Sequence, residues 1–156
     1  MSTGASSEQI VPLTREELPV RGVTCLHLKF VQDFIRGHLA VGNFDEGEIP
    51  FVPKRYFITY GIPAVAGVRG RHAHRECHQF LVCVSGSCVV RVDDGTRQHT
   101  ITLNAPSLGL YVPPMIWAEE FEHSHDSCLL VFASHAYDAE DYIRDYGDFL
   151  RAVGVA

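Results

Sequence analysis

The stretch from His78 to Ser134 does most to restrict the fold. Runs rich in β-branched and apolar residues recur there at short intervals: His78 to Val84, Ser87 to Val92, Arg97 to Leu103, Leu108 to Val112, Ile116 to Phe121 and Cys128 to Ser134. Turn chemistry separates them, with Ser85-Gly86 as a short-hairpin signal, then Asp93-Asp94-Gly95 and Asn104-Ala-Pro-Ser. Many short strands at regular spacing specify a β-sandwich or barrel, not alternating strand and helix units. Upstream, Val23 to Phe30 reads as a first strand with Leu26, Leu28 and Phe30 on one face and His27 on the solvated one. Shorter strands are expected at His38 to Val41 and Lys54 to Tyr60, the first set off by Gly37. A loop of acids, Gly and Pro (Asn43 to Pro53) lies between them, and a Gly-rich connection runs from Gly61 to Gly70. The chain ends differently. Asp138 to Arg151 carries acids first and apolar residues at Tyr142, Ile143, Tyr146, Phe149 and Leu150, which predicts an amphipathic helix N-capped by Asp138 and weakened at Gly147. Tyr142 and Tyr146 are assigned to packing.

With 156 residues the chain fits a single domain that needs neither disulfide nor metal to hold a core. Residues 1 to 20, small and polar at first and then broken by Pro12 and Pro19, are expected to form a flexible lead-in to a domain spanning residues 21 to 156. A formal charge of -6 argues against a general nucleic-acid or anionic-membrane binder, so any anion site must be local. The five cysteines are odd in number, lie in apolar stretches and lack CxxC spacing, so they read as buried thiols in a reducing compartment. Met1 to Ser7 lacks the pattern of a secretion signal, and a cytoplasmic location is expected.

The chemistry concentrates at Arg69-Gly-Arg-His-Ala-His74. Alternate residues of a strand share a face, so His72 and His74 point the same way. Two neutral imidazoles on one face serve either as a proton-transfer pair or as half of a metal site. Regular strands with such a pair suggest a cupin-like double-stranded barrel around a small ligand. Metal-binding cupins add a Glu four residues beyond the second His and a later His after a Pro-containing turn. Those positions hold His78 and Ala118 here, which breaks the metal pattern. His72, His74 and His78 would still share strand parity if the strand ran unbroken, which leaves a three-His site open.

Four ordered motifs sharpen the reading. Arg69-Gly-Arg-His-Ala-His-Arg75, Cys83-Val-Ser-Gly-Ser-Cys-Val-Val-Arg-Val-Asp-Asp-Gly95, Gly109-Leu-Tyr-Val-Pro-Pro-Met-Ile-Trp117, and Ala133-Ser with Tyr137-Asp and Asp141-Tyr-Ile-Arg-Asp-Tyr146 resemble the nucleotide-sugar 3,4-ketoisomerase family. Asp33 with Arg36-Gly37, and Ile49-Pro-Phe with Lys54-Arg55, fit the same resemblance, which covers about residues 28 to 150. It implies an all-β cupin barrel with a short C-terminal helix, paired as a homodimer and working without metal or other cofactor. The implied reaction converts a dTDP-linked 4-keto-6-deoxyhexose to its 3-keto isomer, in pathways to unusual sugars of surface polysaccharides or antibiotics. By position, His72 and His74 match the catalytic pair, and Arg69 is expected at the diphosphate with Arg55 or Lys54. Tyr111 and Trp117 are expected against the substrate. Moving a carbonyl from C4 to C3 requires a proton taken from C3, an enediol, and a proton returned at C4, which one imidazole on one face can accomplish.

Two departures bear on mechanism. Ala118 stands where the family usually has His, and Tyr56-Phe57 where it usually has tyrosines, so the relay is assigned to Tyr56, another hydroxyl or water. Two further readings stay open: a cupin epimerase acting at C3 or C5 of a similar sugar nucleotide, and a non-catalytic sugar-binding cupin.

Overall fold

The computed structural model describes residues 8–156. In chain order the strands are β1 (Glu8–Val11), β2 (Thr14–Glu17), β3 (Thr24–His27), β4 (Lys29–Asp33), β5 (Leu39–Val41), β6 (Arg55–Tyr60) and β7 (Arg69–His74). They continue with β8 (Gln79–Ser85), β9 (Cys88–Asp93), β10 (Gln98–Leu103), β11 (Leu108–Val112), β12 (Trp117–Phe121), β13 (Cys128–Ala133) and β14 (Tyr142–Ile143), followed by the helix α1 (Tyr146–Ala152). A six-stranded sheet, β2-β3-β11-β8-β13-β6, faces a five-stranded one, β10-β9-β12-β7-β14, and a small sheet β1-β4-β5 lies apart. Every pairing is antiparallel. This is the jelly-roll barrel expected from the recurring strands.

Period-two alternation sets the layers. Leu81, Cys83, Leu110, Val112, Leu129 and Val131 from the six-stranded sheet meet Cys88, Val90, Val92 and Leu103 from the other in the main core. The intervening residues are apolar as well: Leu26, Phe80 and Val82 turn outward and are covered by Ile49, Phe44 and Phe51. Because both faces of the sheet are buried, the Phe80 to Cys83 run is continuously hydrophobic. Gly109 permits that outer layer, since a Cβ there would stand 2.0 Å from the Phe80 ring. On the outer face of the five-stranded sheet, Phe149 of α1 packs with Ala73, Trp117 and Ile143.

Two expectations change. Within the presumed lead-in, whose first seven residues lie outside the described range, β1 pairs with β4 and β2 with β3. All eight of their residues are exposed. They satisfy open backbone groups without burying a face, and so carry no hydrophobic period to read. The terminal helix starts later than expected. Asp138 does cap a turn, accepting from the Glu140 amide, but that turn is a single 3-10 segment (Ala139–Asp141). Tyr142 and Ile143 then pair with His74 and Ala73 at the edge of β7, and Asp145 caps α1. The open edge of β7 overrides the helical pattern of the sequence. No helix among the described residues is long and apolar enough to cross a membrane.

Candidate active site

The site is built on β7, whose local irregularity decides what it presents. Arg69 and His72 are three apart, so simple alternation would place them on opposite faces. The register against β12 shifts instead: Glu120 faces Arg69 and Glu119 faces Gly70, but Ala118 faces His72, leaving Arg71 unpaired. Gly70 (φ 77°) and Arg71 (φ 56°) adopt the left-handed conformation that such a bulge needs. At Gly70 a Cβ would also come within 3.0 Å of the Ala118 carbonyl oxygen. The extra residue turns Arg71 out towards Glu119 and leaves Arg69 and His72 lining one cavity.

This cavity, of about 210 Å³, lies where β6, β7, β8 and β12 converge and is lined by Arg69, His72, Gln79, Glu120 and Arg144, with Phe57, Thr59, Gly70 and Ala118. Burial pushes the His72 pKa down, opposed by a hydrogen bond to the Gly70 backbone, so the ring is neutral at pH 7. His74 follows on the same face, its ring perpendicular to that of His72 with centroids 4.9 Å apart. Its Nδ1 lies 2.7 Å from Asp141 Oδ2, and its buried Nε2 has no hydrogen-bond partner among the described residues. Burial and the neighbouring His72 lower the His74 pKa to about 4, despite the opposing pull of Asp141. Burial alone would raise Asp141, but hydrogen bonds from the Glu76 amide and His74 outweigh it and hold the carboxyl below its ordinary range. With Nδ1–H donating to an ionised Asp141, His74 is fixed as a neutral imidazole whose Nε2 accepts.

Aromatic and cationic groups frame the pair. Tyr142 packs 4.9 Å from the His72 ring and 4.4 Å from that of His74, and the Arg144 guanidinium lies over its ring. Arg55 lies over Phe57 and Tyr137, acts electrostatically on both histidines, and has a buried Nε with no hydrogen-bond partner among the described residues. His74, Cys77 and Asp141 bring ligand-type atoms within 4.8 Å of one another. Two of the three are already bonded to each other, as befits a network that orients His74.

Several expected residues fall elsewhere. Tyr56 is 67% exposed and faces away, because Phe57 and Thr59 are the residues of β6 that line the cavity. Lys54 precedes β6, is exposed, and lies outside the lining. Tyr111 lies on the outer face of the six-stranded sheet, where its hydroxyl meets His78 Nδ1 at 2.8 Å beside Phe51. Trp117 packs under α1 with its indole N–H donating to Glu119, while its neighbours Ala118 and Glu120 face inward. The three-His arrangement fails too. β7 ends at His74 and a turn restarts the alternation at Gln79, so His78 joins the outer face and Gln79 lines the cavity. Sequence reasoning gave no role to Gln79 and Glu120, nor to Asp141 and Arg144, which it quoted only within a motif. Glu120 alone had a local signal, sharing strand parity with Ala118.

Known proteins share this chain's sequence and its fold. The family described as FdtA: WxcM-like, C-terminal matches residues 21–154. A TDP-4-oxo-6-deoxy-alpha-D-glucose-3,4-oxoisomerase from Aneurinibacillus thermoaerophilus is 43% identical over 118 residues, covering 76% of this chain and 84% of its own. Among solved structures, a 3,4-ketoisomerase from Helicobacter canadensis superposes with a TM-score of 0.76 at 38% identity, over 85% of this chain and 97% of its own. A histidine-to-asparagine mutant of the Thermoanaerobacterium thermosaccharolyticum 3,4-ketoisomerase, solved with TDP-4-keto-6-deoxyglucose, gives 0.79 at 33% identity, over 86% and 95%. On its sequence, its barrel and its paired histidines, the chain belongs to the FdtA family of sugar 3,4-ketoisomerases.

Proposed function

We propose that this ketoisomerase acts on a TDP-linked 4-keto-6-deoxyhexose, moving the carbonyl from C4 to C3 with a histidine of the His72–His74 pair as the proton carrier. The observation that carries this reading is that His72 lines the same cavity as Arg69 and Arg144, and burial there favours its neutral ring. The arginines suit an anionic diphosphate, which guanidinium groups bind through paired hydrogen bonds. His72 takes the proton from C3 and returns it at C4, and His74, held by Asp141, packs against His72 and orients it. His72 is favoured as base because it lines the cavity, whereas the Nδ1 of His74 is committed to Asp141.

Two copies form the working unit in this reading. The small sheet leaves Ile10, Phe34, Ile35 and Leu39 exposed, and the edge strand β6 exposes Tyr56, Ile58 and Tyr60. Apolar surface of this kind calls for a cover, and symmetric pairing is the common solution. Free cysteines suit a reducing compartment such as the cytoplasm.

Proton NMR with TDP-4-keto-6-deoxyglucose tests the reaction. The wild type is expected to give the 3-keto isomer and, in deuterium oxide, to place deuterium at C4. His72→Asn should lower the rate by at least about 100-fold, and His74→Asn by less. A product that keeps its 4-keto group with C3 or C5 inverted would instead establish an epimerase. Unchanged substrate, or both variants at wild-type rate, would overturn the proposal.

A further inference from the structure

Isomerisation moves two protons, and the imidazole accounts for one. While hydrogen passes from C3 to C4, the hydroxyl proton on O3 must leave and one must arrive at O4. Tyr56 faces away from the cavity and Phe57 has no hydroxyl, so neither relays it. A carboxylic acid is suited to the task, since one oxygen donates while the other accepts.

We propose that Glu120 is the catalytic acid–base that shuttles the proton between O3 and O4 of the sugar, an inference that rests on the ketoisomerase reading above. Glu120 is the carboxyl residue of the cavity lining, on the same face of β12 as Ala118, which sits opposite His72. It forms no ion pair with a described residue, although Arg69 is its register partner on β7. The preceding residue, Glu119, faces outward and takes the surface arginines Arg71 and Arg91.

Burial favours the neutral form of Glu120, and the cations beside it oppose that. Arg69 and His72 approach from β7, the buried Cys88 thiol from β9, and Arg144 lies across the cavity. Burial raises the Glu120 pKa above the ordinary carboxyl value, against the pull of Arg69. A neutral acid also avoids repelling the substrate's diphosphate.

The steps balance. The imidazole takes the C3 proton, the C–H electrons form the C3–C4 double bond, and the carbonyl oxygen O4 takes the Glu120 proton, giving the enediol and a carboxylate. Glu120 then takes the proton from O3, the C3 carbonyl forms, and the imidazolium returns its proton to C4. Both residues end as they began.

Glu120→Gln keeps shape and hydrogen bonding but removes the proton. It should lower kcat by about 100-fold or more with little change in TDP affinity, and Glu120→Asp should recover part of the loss. The wild-type kcat/KM should fall as rising pH ionises Glu120, and the residual activity of Glu120→Gln should lack that limb. Glu119→Gln serves as a control, because Glu119 carries the same carboxyl on the same strand but pairs with Arg71 and Arg91 outside the cavity lining. A Glu120→Gln enzyme within about threefold of wild type, a loss confined to KM, or a basic limb that survives the substitution would overturn the shuttle alone. A wild type that leaves TDP-4-keto-6-deoxyglucose unchanged would overturn the reaction and the shuttle together.

Discussion

Asp141 and His74 hold opposite preferences within one hydrogen bond: the acid stays ionised and the imidazole stays neutral. Because the folded pKa of His74, about 4, lies below its ordinary 6.5, the unfolded chain binds a proton between those values that the folded chain does not. Stability therefore falls as pH drops through that window, at up to roughly 1.4 kcal/mol for each unit of separation. The lowered pKa of His72 acts in the same direction, and Asp141 continues it below 3.8. Thermal melts from pH 7 to pH 4 should show a falling midpoint, and His74→Gln should flatten the fall; a midpoint flat in the wild type would contradict the buried neutral imidazoles. At this scale the sequence was legible where one strand decides the outcome, as with His72 and His74. It assigned no role to Asp141, which reaches His74 across 67 residues through the β14–β7 pairing. Arg69 joins the cavity only because a bulge alters its parity, which resemblance could suggest and alternation could not. Tyr111 and Trp117 sit in the expected strands but on faces that only the finished layers define.

Among the elements, β8 and β11 show how tightly the outer layer is filled. Gly109→Ala would drive a methyl into the Phe80 ring, and overpacking of this kind costs about 1–3 kcal/mol. Urea unfolding should show a lower midpoint with an unchanged slope; an unshifted midpoint would mean that the Phe80 ring moves aside freely. Strands with turn chemistry at both ends, such as β8, β9 and β11, were legible nearly to the residue. The stretch 138–151 was not, because its helical spacing competes with an unfilled sheet edge beside it. That edge takes Tyr142 and Ile143, and a tyrosine assigned to ordinary packing thereby stands against both histidines.

For the whole molecule, the barrel follows from the rhythm of strand and turn, while the exposed apolar residues on which the proposed pairing rests appear only on the finished surface. Light scattering at micromolar concentration should give twice the 17.4 kDa chain mass. Ile58→Lys, on the exposed edge of β6, should shift that mass towards the monomer if this edge is the contact. A monomer mass for the wild type would refute the pairing. The extra residue at Arg71 also sets the facing of its neighbours. A strand displays its residues in a two-step frame, and a single extra residue switches the frame, so a cavity-lining Arg69 and an inward His72 are fixed by counting along the backbone. Both lie downstream of the 61–68 connection, whose length can therefore drift without disturbing their spacing. Removing one residue between them, by contrast, would send the arginine to the outside of the barrel while every histidine stayed in place.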